Sequence, residues 1–381
     1  MGSKEWRVHN PSGSKRVIVT KDLPGERWLD ILARAGCKVE ICTSTDILSA
    51  ADITAAIGNN CGGAIGQITE SWGEEMFTAL ANAGGKVYSN YAVGFDNVDL
   101  DAATRHGIVV GNTPGVLTET TAQMAVALTF AAARRVSEAE RFLQNGKYKG
   151  WLPTLFLGHL LWRKTLGVIG AGRIGATYAQ MMVEGHKMNL IYFDPHANKR
   201  LEDYLSGYKA FLTARKLPAV NCKRAGQIED LLREADCVSI HTILDESTHH
   251  LINKERLGLM KKNAILINTS RGPVIDETAL VEHCRTHPDF RVGLDVFENE
   301  PETKPGLLEL DNIVKVPHIA SATNWTRQGM ATLAAGNVAA ILMGQPAWQK
   351  PDILPFLEGA PPAAAPSILN AKELGIAQYS D

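Results

Sequence analysis

Two series of short β-branched segments, each alternating with helical patterns, restrict the fold of this 381-residue chain more than any other feature. Strands that alternate with helices are typical of parallel sheets with helices on both faces. A chain of this length also exceeds one ordinary hydrophobic core. The sequence therefore predicts an α/β fold with two doubly wound parallel sheets. The expected strands are 16–20, 38–42, 63–66, 86–90 and 107–112 in the first series, and 165–170, 189–194, 237–241, 264–269, 291–295 and 312–318 in the second.

One long helix is expected between the two series, over residues 118–146. Thr118 would cap its start, Gly146 would end it, and its apolar first half would be buried. The apolar stretch WLPTLFLG that follows this helix would suit dimerisation if it is exposed. Beyond residue 344 the chain is rich in Pro and Ala, which favours an extended tail wrapped around a domain.

Composition and charge argue against several classes of protein. The formal net charge of −2 gives no general basic field, so nucleic acid is not expected as the main partner. The six cysteines are scattered without a C-x-x-C pair, which predicts neither a zinc site nor a disulfide framework. The longest apolar helical run, AQMAVALTFAAA, is too short to cross a bilayer. The start MGSKEW fits no myristoylation signal, and no signal or transit peptide is visible.

The segment LGVIGAGRIGATYAQ carries the pattern G-x-G-x-x-G as Gly170, Gly172 and Gly175. A strand precedes these glycines, a helix opens within them, and Asp194 ends the next strand about 20 residues on, which is the context of a dinucleotide site. The glycines would let the backbone approach a pyrophosphate, and Asp194 would bind ribose hydroxyls and repel a 2′-phosphate. NAD(H) is therefore expected in preference to NADP(H), with a structural turn and a solvated aspartate as the alternative. Arg173 would lie along the pyrophosphate or on the open surface.

Polar groups follow several strands of the second series. His241, Arg271, Asp295 and His318 each come directly after an expected strand or within two residues of its end, and Glu300 follows in DVFENEP. In an open parallel sheet, ligands bind beyond the carboxyl ends of the strands. The guanidinium of Arg271 would hold a carboxylate and polarise a carbonyl, because its planar fork matches both tasks. These groups favour a site for an anionic ligand such as a small 2-oxo acid, with Arg271 as a surface charge just past its strand as the alternative.

Reduction of a 2-oxo acid needs a hydride from the cofactor, an oriented substrate and one proton. A histidine beside a carboxylate suits the proton transfer, because the carboxylate stabilises the imidazolium. Glu300 with His318 is the favoured pair, since His241 has no acid neighbour in the sequence. From the residues alone, a strand-end histidine satisfied by backbone and a solvated glutamate remain alternatives.

Four segments in order, GAGRIG with its following aspartate, INTSRGPVIDETAL, GLDVFENEP and VPHIAS, resemble the D-isomer-specific 2-hydroxyacid dehydrogenases. The resemblance extends to about residue 345 and implies catalytic roles for Arg271, Glu300 and His318, with His318 rather than His241 as the general acid. It also implies a set of contacts with NAD(H), formed by Thr121, Gly170, Gly172, Arg173, Ile174, Gly175, Asp194, His241, Asn268, Thr269, Ser270, Asp295 and Ser321.

Within that family, NTPGVLTETTA, IASATNWTRQGMATLAA and the insertion after Asp194 resemble the plant-type hydroxypyruvate reductases of photorespiration. This resemblance implies that backbone amides at Val93 and Gly94 bind the substrate carboxylate, as a strand-to-loop turn can; a plain tight turn is the alternative. Trp151 resembles a tryptophan that enters the active site of the partner subunit, with a core or dimer-interface aromatic as the alternative. For Trp325, a cofactor or substrate contact and core packing are both open.

The order of the motifs implies a Rossmann NAD-binding domain, residues 118–318, inserted into a flavodoxin-like substrate domain formed by residues 1–117 and 319–381. The implied activity is the NADH-dependent reduction of hydroxypyruvate to D-glycerate, and of glyoxylate to glycolate, by a homodimer without a metal, a nucleic acid or a membrane partner. Another dehydrogenase of the family and an NAD-sensing corepressor are the alternatives. Peroxisome, mitochondrion and cytosol remain open, because the chain ends AQYSD where plant members end in S-K-L.

Overall fold

The computed structural model describes residues 5–380, so the first four residues of the segment MGSKEW and the final Asp381 lie outside the described residues. The chain divides into two compact units, Met1–Leu117 with Ala322–Asp381, and Thr118–Ser321. The second boundary therefore falls at 321/322, beside the expected 318/319. Each unit is built on its own mainly parallel sheet with helices around it, which confirms the predicted α/β class.

The strands of both sheets follow the predicted series closely, because buried parallel strands leave continuous runs of apolar residues. They are β1 (Trp6–His9), β2 (Lys15–Val19), β3 (Cys37–Cys42), β4 (Gly63–Gly66), β5 (Val87–Asn90), β6 (Val109–Gly111), β7 (Thr165–Ile169), β8 (Asn189–Phe193), β9 (Cys222–Arg224), β10 (Cys237–Ile240), β11 (Ile265–Asn268), β12 (Arg291–Leu294) and β13 (Ile313–Lys315).

The helices of the described residues connect these strands and cover both faces of each sheet. They are α1 (Arg27–Arg34), α2 (Ala50–Ile57), α3 (Glu74–Asn82), α4 (Leu100–Arg105), α5 (Thr118–Ala133), α6 (Val136–Gln144), α7 (Arg173–His186), α8 (Lys199–Ala214), α9 (Ile228–Glu234), α10 (Lys254–Leu259), α11 (Glu277–Thr286), α12 (Asn324–Leu342) and α13 (Leu354–Leu357). Within residues 5–380, none of them combines the length and apolar character that a membrane span requires.

The first unit contains a six-stranded sheet in the order β1-β3-β2-β4-β5-β6. Five of its strands are parallel, as predicted, and β1 pairs antiparallel with β3 at the edge. The sequence analysis missed β1 because this four-residue edge strand has no fully buried residue and hence no buried run. Helix α12 packs against β4, β5 and β6, so the chain that returns from the second unit completes the core of the first.

The second unit contains a seven-stranded parallel sheet in the order β13-β12-β11-β10-β7-β8-β9. Its strand order reverses at β7, which has β8 on one side and β10 on the other. A crevice at such a switch point, beyond the carboxyl ends of the strands, is where open α/β sheets bind ligands. One apolar cluster lies on the face with α9, α10 and α11, and another lies on the face with α5, α7 and α8.

The expected single helix over residues 118–146 is wrong, since α5 ends at Ala133 and α6 begins at Val136. Arg135 between them has a left-handed backbone, with φ 56°, and that conformation stops the helical hydrogen-bond ladder. Its guanidinium donates to both carboxylate oxygens of Glu138, at 2.6 and 2.8 Å. The break carries neither Gly nor Pro, so no local breaker signalled it. The apolar half is buried in α5, as expected, whereas α6 has no buried residue.

Candidate active site

The glycine loop joins β7 to α7, and its three glycines differ in what an added Cβ would contact. Gly170 has φ 87°, and a Cβ there would lie 2.7 Å from the carbonyl oxygen of His241. A Cβ on Gly175 would lie 2.0 Å from the carbonyl oxygen of Gly170, whereas one on Gly172 would meet nothing within 4 Å. Two glycines therefore serve packing, and Gly172, the N-cap of α7, leaves the helix N-terminus open to an anion.

Asp194 directly follows β8 and is bonded to the glycine loop. Its Oδ2 accepts a hydrogen bond from the Ala171 amide at 2.9 Å, and its Oδ1 accepts one from the His196 amide at 2.9 Å. The guanidinium of Arg224 donates to the backbone carbonyls of Asp194 and Pro195, at 2.9 and 2.8 Å. The carboxylate is thus held in place by the loop instead of standing free in solvent. The sequence analysis did not single out Arg224.

The residues at this crevice fit a dinucleotide. The buried hydroxyls of Thr242 and Thr269, which follow β10 and β11, have no hydrogen-bond partner within the described part of the chain. Such groups usually find a partner, and a ligand at the crevice would supply one. Thr242 was not predicted, although it stands next to His241.

The remaining residues expected to bind the cofactor occupy varied surroundings in the second unit. Thr121 is buried on α5, Arg173 is exposed at the first position of α7, Ile174 is half-buried beside it, and Ser321 is half-buried at the last position of the unit. Their contacts with NAD(H) stay predictions.

The turn after β11 is shaped by Asn268 and presents Arg271. Asn268 Nδ2 donates to the carbonyl of Arg271 at 2.8 Å, and its Oδ1 accepts from the amide and the hydroxyl of Ser270, at 3.0 and 2.7 Å. The half-buried guanidinium of Arg271 donates to the Ser270 carbonyl at 2.9 Å. A Cβ on Gly272 would lie 1.9 Å from the backbone of Phe297. Only glycine fits there, which presses this turn against the loop that carries Glu300.

That loop is fixed by Glu277, a buried residue that the sequence analysis overlooked. Glu277 is 2% exposed, and its carboxylate accepts from the amides of Glu298 and Lys304, at 2.7 and 3.4 Å. Glu298 Oε2 in turn accepts from the Glu277 amide at 3.2 Å. Burial raises the pKa of Glu277. The acid lies inside the motif INTSRGPVIDETAL, but the rest of α11 and all of β12 separate it from its partner loop in the sequence, so only the fold reveals its role.

His318 and Glu300 form an imidazole–carboxylate pair, with His318 Nδ1 2.8 Å from Glu300 Oε2. Their side chains are 27% and 30% exposed, so the pair remains open to a small molecule. Glu300 Oε1 accepts from the Phe297 amide at 2.9 Å. Burial alone would raise the pKa of Glu300, but the hydrogen bond and charge of His318, with the Phe297 amide and the charge of Arg271, lower it below its usual value. The carboxylate therefore stays ionised beside the imidazole.

Asp295 holds the backbone of the segment around His318. It is fully buried, its carboxylate accepts from the amides of Ile319 and Ala320, at 2.6 and 3.0 Å, and its carbonyl accepts from the His318 amide at 2.8 Å. His318 has φ 51°, which these bonds support. Burial raises the pKa of Asp295. Its predicted place beside the nicotinamide stays a prediction.

His241 is unsuited to proton transfer. Burial lowers its pKa to about 3, so the imidazole is neutral near pH 7. Its Nε2 lies 2.9 Å from the hydroxyl of Ser239, and its ring lies 5.2 Å from that of Tyr178. Of the two histidines weighed as the acid, only His318 lies beside a carboxylate, through its Nδ1.

The loop at Val93 and Gly94 belongs to the first unit and follows β5. Val93 O accepts from Asn112 Nδ2 at 2.9 Å, and Gly94 O accepts from Asn90 Nδ2 at 2.9 Å. Within residues 5–380 the backbone amides of Val93 and Gly94 donate to no protein acceptor. The loop can therefore offer two N–H groups to an anion.

Core packing does not account for either of the two tryptophans considered from the sequence. Trp151 is 79% exposed and Trp325 is 54% exposed. The alternative of a core residue is wrong for both, so a contact at the partner's active site or at a dimer interface remains for Trp151, and a contact with cofactor or substrate remains for Trp325.

Comparison with known proteins identifies the family. The sequence model described as the NAD-binding domain of the D-isomer specific 2-hydroxyacid dehydrogenases matches residues 126–320. The chain is 58% identical to the peroxisomal glycerate dehydrogenase of Arabidopsis thaliana, over 97% of both chains. It is 42% identical to a glyoxylate reductase of Korarchaeum cryptofilum, over 75% of this chain and 81% of that one.

A solved structure shares the architecture. A protein of Thermus thermophilus matches with a TM-score of 0.75 and 39% identity, covering 86% of this chain and 97% of that chain. These findings confirm the family resemblance drawn from the four motifs. The chain thus belongs to the D-isomer-specific 2-hydroxyacid dehydrogenases, a family of NAD-dependent oxidoreductases that act on small 2-hydroxy acids.

Proposed function

We propose that this enzyme reduces hydroxypyruvate to D-glycerate, and glyoxylate to glycolate, with NADH as the reductant. The contact of 2.8 Å between His318 Nδ1 and Glu300 Oε2, in the same unit as the glycine loop, is the observation that carries the proposal. The names of the similar proteins, glycerate dehydrogenase and glyoxylate reductase, support these two substrates.

In the proposed reaction, bound NADH would supply a hydride to the carbonyl carbon of the 2-oxo acid. His318 in its protonated form donates a proton from Nε2 to the carbonyl oxygen, and Glu300 stabilises the imidazolium through Nδ1. Arg271 binds the 2-oxo acid through its planar donors and stabilises charge on the oxygen that is being reduced. The products are the 2-hydroxy acid and the oxidised cofactor, so one hydride and one proton account for the change.

We assign the carboxylate of the substrate to the amides of Val93 and Gly94. These N–H groups are not used by other hydrogen bonds in the described residues, and their peptide carbonyls are held from the opposite direction. Two amides that point the same way form a concave site for an anion.

We propose a preference for NADH over NADPH on the basis of Asp194. Its carboxylate is fixed by two backbone amides, and a 2′-phosphate beside it would meet a like charge. Arg224 is close by, but its Nε and Nη2 groups are engaged with the carbonyls of Asp194 and Pro195. The acid therefore dominates the selection.

We also propose a homodimer formed through the apolar segment after α6. Several large side chains there are more than half exposed, namely Trp151, Leu152, Leu157, Leu160 and Trp162. Contiguous exposed apolar surface of this kind marks an interaction site. In such a dimer, Trp151 of the partner subunit would reach the substrate.

Steady-state oxidation of NADH with a panel of 2-oxo acids tests the proposed function. Hydroxypyruvate and glyoxylate should be turned over, with hydroxypyruvate distinguished from pyruvate and 2-oxobutyrate by a higher kcat/KM, and NADPH should serve poorly. Binding of NADH without turnover of any 2-oxo acid would instead favour the sensor-type alternative.

The cellular setting is also part of the proposal. The name of the Arabidopsis thaliana relative places that protein in the peroxisome, and we infer a photorespiratory role in an organelle for this chain. Microscopy of the natural full-length protein with an internal fluorescent tag checks this, and a diffuse cytosolic signal would contradict it.

A further inference from the structure

We propose that the C-terminal segment Ser367–Asn370 is a positioning element for the Val93–Gly94 loop, and that it acts through the side chain of Asn112. The inference rests on the proposed function, in which this loop binds the carboxylate of the substrate. All of the residues involved lie in the first unit, although they are far apart in the sequence.

The direction of the two loop amides is set by the carbonyls that precede them. In a trans peptide the C=O of one residue and the N–H of the next are coplanar and point in opposite directions. Ala92 O accepts from the Thr113 amide at 2.8 Å, which fixes the N–H of Val93. Val93 O accepts from Asn112 Nδ2 at 2.9 Å, which fixes the N–H of Gly94. The hydrogen bonds from residues 112 and 113 therefore set the direction of the Val93 and Gly94 N–H groups.

The side chain of Asn112 can hold Val93 only in one orientation of its amide. Ser367 Oγ donates to Asn112 Oδ1 at 2.6 Å, which leaves Nδ2 for Val93 O. Asn112 is 4% exposed, so water cannot replace the Ser367 hydroxyl as the hydrogen-bond donor to Asn112 Oδ1. A flipped amide would set Oδ1 against Val93 O, two acceptors in contact. The hydroxyl of Ser367 thus determines the orientation of Asn112.

Asn337, a buried residue of α12, fixes the position of the Ser367 backbone. Asn337 Oδ1 accepts from the Ser367 amide at 2.8 Å, and Asn337 Nδ2 donates to the carbonyl of Asn112 at 3.0 Å. Asn337 is fully buried. A Cβ on Gly111 would lie 2.5 Å from Asn337 Nδ2, so the glycine makes room for this amide.

The other end of the segment is anchored away from the loop. Asn370 Oδ1 accepts from the Val110 amide at 2.8 Å, and its Nδ2 donates to the Ile108 carbonyl at 2.9 Å and to Thr104 Oγ1 at 3.0 Å. The segment also forms an antiparallel bridge between Ile368 and Gly111, at the edge strand β6. The anchor and the contact with Asn112 are separate, which gives the experiment a matched control.

The test compares Ser367→Ala, Ser367→Thr and Thr104→Val in the full-length enzyme. Ser367→Ala removes only the hydroxyl, and we expect KM for hydroxypyruvate to rise about five- to tenfold with kcat within about twofold, because the lost contact serves substrate binding. Ser367→Thr restores the hydroxyl and should restore KM. Thr104→Val loosens the same segment at its anchor and should leave KM within about twofold. NADH affinity, from fluorescence titration, should be unchanged in all three.

Hydrogen–deuterium exchange gives a second measurement that does not require turnover. A peptide covering residues 91–97 should exchange faster in Ser367→Ala than in the wild type or in Thr104→Val. An unchanged KM in Ser367→Ala overturns the proposal, as does an equal rise in Thr104→Val, which would indicate general loosening. A wild type inactive on both oxo acids would refute the proposed function instead. The exchange data would then decide the coupling: faster exchange supports it and unchanged exchange overturns it.

Discussion

Glu300 Oε2 and His318 Nδ1 lie 2.8 Å apart, although both residues belong to loops outside any helix or strand. The position of each is set by a buried acid, since Asp295 bonds the amides of residues 318 to 320 and Glu277 bonds the loop that carries Glu300. Carboxylates that accept from backbone amides form strong, directional bonds. The pair is thus pre-organised by two acids that hold the backbone of the loops that carry it.

Replacing Glu300 by Gln should lower kcat about 100-fold, because the amide keeps the shape of the side chain but cannot stabilise the imidazolium. Steady-state rates with hydroxypyruvate measure the change. Glu302→Gln, at an exposed acid two residues further on, is the matched control and should retain the rate. Equal losses in both variants would contradict the pairing.

Arg271→Ala should lower kcat/KM for hydroxypyruvate about 1000-fold, because donors for the substrate are removed from the site. NADH affinity should change little, since the assigned contacts of this guanidinium belong to the oxo acid. Isothermal titration with NADH checks the second point, and Arg271→Lys, which keeps the charge without the planar fork, should recover only part of the rate. Loss of NADH binding in Arg271→Ala would show that the residue serves the cofactor.

Asp194→Ala should relax the selection against NADPH. The ratio of kcat/KM for NADH to that for NADPH should fall about tenfold or more, because the like charge facing a 2′-phosphate is gone. Asp203→Ala, at an exposed acid on α8, should leave the ratio as it is in the wild type. An unchanged ratio in Asp194→Ala would argue against the role assigned to this carboxylate.

The stability of the enzyme should depend on pH through His241. Burial lowers its pKa to about 3 in the folded state, whereas an unfolded histidine titrates near pH 6.5. The unfolded state therefore binds more protons, and this group removes stability as pH falls from about 6.5 towards 3, with a slope of about 1.4 kcal/mol per pH unit.

Urea unfolding of the wild type and of His241→Asn between pH 7 and pH 4.5 measures that slope. Asn keeps a polar partner for Ser239 but takes up no proton, so the free energy of unfolding should fall less steeply in the variant. Burial also lowers the pKa of His283, to about 4, and this contribution should persist in both proteins. Parallel pH curves would exclude His241 as the source.

Leu157→Glu should weaken the proposed dimer, because a charge would replace a side chain that is 66% exposed within the apolar segment. Sedimentation velocity should show a shift from dimer to monomer at micromolar concentration. Leu217→Glu is the control, at a side chain that is 49% exposed outside that segment. A monomeric wild type would contradict the homodimer outright.

The two sheets could be predicted well from the sequence because buried parallel strands consist of continuous runs of apolar residues. The four-residue β1 and the three-residue β9 were missed because these two edge strands contain no buried residue. The break at Arg135 was not foreseen because an ion pair with Glu138, and no glycine or proline, accompanies the left-handed turn.

At the candidate site, the glycine loop and the three residues predicted to be catalytic could be named from motifs, but the residues that hold them could not. Gly272 is required by the backbone of Phe297, and Glu277 by the amide of Glu298. Asn112 and Ser367 meet only because the chain returns across the first unit. These residues meet their partners only in the tertiary structure, and contacts between distant segments leave no periodic or local pattern in the sequence.

The absence of room for even one methyl group between Gly272 and Phe297 has a mechanical meaning. Arg271 and Glu300 lie on two segments whose backbones are in direct contact, so a displacement of one segment must displace the other. We expect the separation of Arg271 and Glu300 to vary less than the position of the two residues together, because a shift of either segment displaces the other. The electrostatic environment of the His318 imidazole should therefore change little when a substrate binds or leaves.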